Sequence, residues 1–169
     1  MRGYIRAMSE EWIPFFTAVA GAAAALAGLI IVSVASSVDR MIEIRAMTSR
    51  AGSAIALLVV VTVIALAGLI PGQGDLLFGI EALVVALAGL AFAVDSLVRL
   101  VRARDDYGTG LDPWLKGGLG VLPGVALVIG AALIAAGQGA GLGWIAVGIL
   151  LSFMSSVVNA WVVLVEIRR

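Results

Sequence analysis

The sequence predicts an all-α, polytopic membrane bundle of five transmembrane helices, one helix followed by two hairpins. Three observations predict it. Apolar residues make up 62% of the 169 residues even before glycine is counted, against about 45–50% with glycine included in soluble domains. Charged residues are 13%, about half the usual share of roughly 25%. The apolar residues also gather into five stretches near the length of about 20 residues that a bilayer-crossing helix needs. A soluble globule this small has too little interior to hide so much apolar surface. Composition therefore excludes a soluble enzyme, a disordered chain and a nucleic-acid-binding module.

The first stretch runs from Trp12 to Val38. It is too long for the apolar part of a signal peptide, and its upstream tail sets Arg2 and Arg6 against Glu10 and Glu11. Without a positive leader flank it is expected to stay as a helix. The second runs from Ala51 to Ile70 and the third from Leu76 to Val101. The fourth, Leu115 to Ala136, and the fifth, Leu142 to Val165, complete a single transmembrane domain. Pro14 and Pro123 are expected in the opening turns of their helices, where a missing N–H costs little.

Arginine placement sets the expected orientation. Arg40, Arg45 and Arg50 separate stretches one and two; Arg102, Arg104 and Lys116 lie between three and four; Arg168 and Arg169 end the chain. The connections Pro71-Gly72-Gln73-Gly74-Asp75 and Gly137-Gln138-Gly139-Ala140-Gly141 carry no base. The positive-inside rule then puts the N-terminus outside and the C-terminus in the cytoplasm. Trp12 and Trp144 would mark the outer interface, with Trp114 and Trp161 at the inner one. Ten of the 11 basic residues are Arg. Together with the Ala, Val and Gly richness, this bias indicates a GC-rich bacterial genome and hence a bacterial inner-membrane location.

The chain has no Cys and no His, so disulfides, thiolate or imidazole metal sites and imidazole acid–base catalysis are impossible. No cofactor and no metal are expected. The formal net charge is zero, which gives no field to attract nucleic acid. Asp105-Asp106 alone is a weak divalent-cation signal. Gly108-Thr109-Gly110 lacks the lysine and the context of a phosphate loop.

The two hairpins resemble each other. Gly72-Gln73-Gly74 matches Gly137-Gln138-Gly139, Val94-Asp95 matches Val158-Asn159, Leu100-Val101 matches Leu164-Val165, and Arg102 falls opposite Glu166. Val38-Asp39 closes the first stretch in a related way. The pattern reads as an internal duplication, with easy chance alignment of apolar helices as its rival. Within the first stretch, Ala20, Ala24 and Gly28 stand four apart, with Gly21 and Ala25 on the adjoining ridge. Such small residues let helix backbones approach closely. The expectation is packing within the bundle; the alternative is a subunit interface in a homo-oligomer or with another membrane protein.

Polar groups within the stretches are the site candidates. Glu81 lies about one and a half turns into the third, where the helix dipole and snorkelling suffice to explain it; buried without a partner, it would instead accept protons. Asp95 has Arg99 at i+4 and Arg102 at i+7, an arrangement that suits a local ion pair at a helix end. The functional alternative groups Asp39, Asp95 and Asn159 around a cytoplasmic vestibule. Asn159 is expected to face the bundle as interhelical glue. Ser33, Ser36, Ser37, Ser53 and Thr62 are expected to bond to carbonyls of their own helices.

The run Phe15-Phe16-Thr17-Ala18-Val19-Ala20-Gly21-Ala22-Ala23-Ala24-Ala25-Leu26-Ala27-Gly28-Leu29, leading to Ser36-Ser37-Val38-Asp39-Arg40, resembles small uncharacterised multi-span prokaryotic membrane proteins. The resemblance covers that helix and rests on its Ala/Gly composition. It implies no activity, substrate or site. Two functions follow as expectations. The first is an oligomeric channel or transporter for protons or small cations, using Glu81, Asp95, Asp39 and Asn159. The second is a non-catalytic, membrane-embedded accessory subunit. An intramembrane enzyme ranks last, because no Ser–Lys, Ser–His or metal-ligand constellation is visible.

Overall fold

The computed structural model describes residues 11–35, 45–102 and 113–167, with backbone alone for residues 34, 45–51, 99–102, 113–119 and 162–167. Among the described residues five helices form: α1 Ile13–Ala35, α2 Arg45–Ala67, α3 Asp75–Arg102, α4 Pro113–Ala135 and α5 Ala140–Ile167. Three of them contain stretches long and apolar enough to cross a membrane, Ile13–Ser33, Asp75–Val98 and Ala140–Trp161. That fits a membrane location. Within α2 and α4 the described apolar stretches are the shorter Gly52–Ala67 and Gly120–Ala135.

Helices α2 to α5 close into a four-membered ring. Each packs on its chain neighbours, and α5 returns to pack on α2. Close approaches fix the directions. Gly79 meets Ala135 while Gly124 meets Leu90, so α3 and α4 run antiparallel. Gly148 meets Leu127 while Gly141 meets Ile134, so α4 and α5 do the same. Helix α1 lies outside this ring, mainly against α2 with a small contact to α5. Its attachment is a stripe at helical spacing: Phe16, Val19, Ala23 and Ile30 are buried. At one end Phe16 meets Phe78 of α3 with ring centroids 5.9 Å apart, in a T-shaped arrangement that favours edge-to-face quadrupole attraction. Leu58, Ile64, Leu127, Ile145 and Ile149 fill the centre and are fully buried.

The helix ends have local causes. Helix α2 ends at Ala67, three residues short of the predicted Ile70. The N–H groups of Leu69 and Ile70 bond to the carbonyls of Leu66 and Ala67 in tight i−3 turns, and Pro71 bars the α conformation from the residue before it. Helix α4 ends in a Schellman turn. Gln138 N–H donates to the Leu133 carbonyl and Gly137 N–H to that of Ile134, both at 2.8 Å, with Gly137 at φ 74°, the left-handed cap that glycine adopts without strain. Pro14 sits in the opening turn of α1 as predicted. Pro123 does not: it lies inside α4, and Pro113 takes the first position instead. The ring of Pro123 is buried, so packing accommodates a residue that removes one helix hydrogen bond.

The two hairpins share a build. Helices α2 and α4 each have 23 residues, and α3 and α5 each have 28. Gly-Gln-Gly immediately precedes both α3 and α5, and both leading glycines, Gly72 and Gly137, have φ 74°. The downstream match is out of step. Counted from the helix starts, Asp95 falls one residue later in α3 than Asn159 does in α5, which rotates it by about 100°. Asp95 is exposed and Asn159 half-buried.

Candidate functional site

Polar side chains inside the bundle gather at two levels. The first is the end formed by the α2–α3 and α4–α5 turns. There Gln73 Nε2 donates to Glu81 Oε2 at 2.6 Å, across eight residues of chain. The turn at Gly72 folds the amide back over the first turns of α3. Glu81 is half-buried. The second oxygen of the same amide, Gln73 Oε1, is buried with no hydrogen-bond partner. The equivalent Gln138 is exposed, so the shared turn sequence produces a paired amide in one hairpin only.

The second level lies toward the opposite end, where α2, α3 and α5 meet. Ser53 of α2 and Ser96 of α3 are 3.2 Å apart, hydroxyl to hydroxyl. Ser156 of α5, fully buried, donates to the Ala54 carbonyl of α2 at 3.3 Å. Asn159 Nδ2 donates to Ser155 Oγ at 3.5 Å, a long bond within α5. Ser152 donates to the Gly148 carbonyl at 2.8 Å. These bonds satisfy buried polar groups that would otherwise be costly in an apolar medium.

Of the predicted site residues, Glu81 is paired with an amide, and among the described residues with no base. Among the described residues that Glu81's end of the bundle contains, the other titratable groups are Glu11, exposed, and Asp75, half-buried. Asp95 is exposed on α3, and among the described residues no three acids come together. The expected partners Arg99, Arg102 and Glu166 have side chains outside the described residues, and Asp39 lies outside them entirely. Asn159 bonds within its own helix; among the described residues the side-chain bonds between helices come from Ser53, Ser96 and Ser156. Ser33 and Thr62 do bond to carbonyls of their own helix, Leu29 and Leu58. Ser36 and Ser37 lie outside the described residues.

The small-residue ridge of α1 faces away from the ring. Gly21, Ala24, Ala25 and Gly28 are exposed, and Ala20 is half-buried. A Cβ built on Gly21 or Gly28 would meet nothing within 4 Å. Packing within the bundle, the expectation for this ridge, is therefore not its role in the single chain. The close contacts belong to other glycines: a Cβ on Gly141 would come within 2.6 Å of the Gly130 carbonyl oxygen, and one on Gly79 within 2.5 Å of the Ala135 nitrogen. Spacing offered a signal for this seam, because Gly141 and Gly148 stand seven apart and share one helix face. Trp12 and Trp144 lie at the turn end and Trp161 toward the other, with Trp144 and Trp161 exposed. The Trp114 side chain lies outside the described residues. Comparison with protein-family models, with curated proteins and with solved structures found no match.

Proposed function

We propose that this chain is a five-span protein of the bacterial inner membrane that acts as a non-catalytic, membrane-embedded subunit, meeting another membrane helix through the outer ridge of α1. The carrying observation is the division of labour between α1 and the ring. The ring of α2 to α5 is closed and filled by apolar side chains, with its seam serines committed to one another and to backbone carbonyls. Helix α1 is peripheral: it packs mainly on α2 with a small contact to α5, and its apolar stretch is 17% buried, against 22% for that of α3 and 44% for that of α5. Five spans are supported by helix length: the 23 residues of α2 and α4, with Arg45, Arg50 and Lys116 in their opening turns, extend about 34 Å at 1.5 Å per residue, close to the core of about 30 Å. The basic residues support an outside turn end, with the C-terminus in the cytoplasm.

The test is co-purification from native membranes, with the homo-oligomeric mass of the purified chain measured alongside. Gly28→Leu is expected to release the partner or the second copy while the chain stays folded. A partner that remains bound overturns the assignment of the ridge. A second reading, an oligomeric path for protons or small cations, is favoured by one observation: Glu81 is a half-buried acid whose partner among the described residues is an amide. Flux through reconstituted protein, lost in Glu81→Gln or Asp95→Asn, would reverse the order of the two readings. No flux under proton, sodium or potassium gradients would remove the second.

A further inference from the structure

We infer that Gln73 and Glu81 form a proton-binding pair at the turn end of the bundle, in which the Gln73 amide turns over when Glu81 takes up a proton. The inference involves neither the α1 ridge nor a second chain, so it stands apart from the docking reading. Two observations carry it. The amide is held by a single side-chain bond, Nε2 to Glu81 Oε2. Its other end, Oε1, is buried without a donor, so no bond there fixes the amide in its present sense.

A carboxamide has nearly the same shape after a half-turn about its last torsion, with donor and acceptor exchanged. With Glu81 ionised, Nε2–H donates to the carboxylate. When a proton from the adjoining aqueous phase binds the carboxylate, the new O–H needs an acceptor. Turning the amide supplies Oε1 at the same distance. The Nε2–H···O bond breaks, an O–H···Oε1 bond forms, and the site changes from charge −1 to neutral. Nε2 then occupies the buried position that Oε1 held. Among the described residues, the other titratable groups at this end are acids, Glu11 near the start of α1 and Asp75, the first residue of α3; Arg2, Arg6 and Glu10 precede α1 in the sequence and lie outside the described residues. The turn-end halves of α2, α4 and α5 contain no ionisable residue. No described base competes for the carboxylate.

The chain contains two glutamines, Gln73 and Gln138, so side-chain 15N-glutamine labelling reads the site directly, with exposed Gln138 as reference. The full chain in lipid nanodiscs would be followed by NMR as the pH is lowered. One pair of amide signals is expected to move and to be absent in Gln73→Leu, while the Gln138 pair stays fixed. The movement is expected to vanish in Glu81→Met and to persist in Asp75→Asn and Glu11→Ala. Gln73 signals that ignore pH, or that titrate unchanged in Glu81→Met, would overturn the pair. Should Glu81→Met fail to fold, Glu81→Asp withdraws the carboxyl by one methylene. An unaltered titration amplitude in that variant would overturn the inference equally.

Discussion

Gly28 and Gly141 look alike in the sequence and live in opposite surroundings. Both sit in apolar helices among small residues. Around Gly28 a Cβ would meet nothing within 4 Å, whereas at Gly141 it would strike the Gly130 carbonyl oxygen and Ile134 at 2.6 Å. The α4–α5 seam uses missing side chains to bring two backbones together, so dispersion and close dipoles hold it. The α1 ridge has the same means of close approach and faces away from the chain's own helices. A small-residue ridge thus shows where a helix can come close, and only the fold shows whether the neighbour belongs to the same chain.

The sharpest way to break this contrast is to fill the seam. Gly141→Leu forces a branched side chain into backbone atoms that cannot move aside. Overpacking commonly costs about 1–3 kcal/mol where side chains can give way, and here the cost is expected to exceed about 3 kcal/mol. Unfolding in mixed micelles, or loss of the monodisperse peak on size exclusion, reads it. Gly79→Ala is expected to cost about 1–3 kcal/mol, because the Ala135 backbone lies within 2.5 Å of the new carbon. Wild-type stability in either variant would mean that these helices are not so closely packed.

Gly137→Ala probes the turn. Space is open around Gly137, so the expected loss of about 1–2 kcal/mol comes from its left-handed backbone alone. A smaller loss would indicate that the Schellman cap can be replaced. Ser156→Ala removes a buried bond between α5 and α2 and is expected to cost about 0.6 kcal/mol, the average for interhelical bonds in membrane proteins. A loss above about 2 kcal/mol would make the serine seam a larger determinant than the glycines allow.

How much of this was legible follows the same division. The five helices came from composition and span length, and the α2–α3 and α4–α5 turns from Gly-Gln-Gly. The early end of α2 was also available, in Pro71. Facing was not legible. These helices are apolar nearly all round, so no polar stripe marks the side turned outward, and spacing did not tell that the α1 ridge of Ala24 and Gly28 faces away from the other described helices. Serine was ambiguous for a related reason: its hydroxyl can bond to its own helix, as Ser152 does, or cross to a neighbour, as Ser156 does. The Gln73–Glu81 bond depends on how the turn folds back over α3, which spacing alone does not specify.

The smallest expected effect on folding falls on Gly28→Leu, and it separates the two environments most cleanly. With open space around position 28, a leucine there has nothing in the chain to displace. In the middle of a helix it should be at least as well tolerated as glycine, whose backbone freedom disfavours the helix by about 0.8–1.0 kcal/mol relative to alanine. The stability of the isolated chain is therefore expected to hold within about 0.5 kcal/mol or to rise slightly. Association is expected to respond in the opposite sense, because a leucine on the ridge pushes an approaching backbone outward. Stability retained with association lost would confirm that the ridge faces another helix. Stability and association both retained would leave lipid as its neighbour. A chain that loses stability would mean that α1 packs on its own bundle through this face.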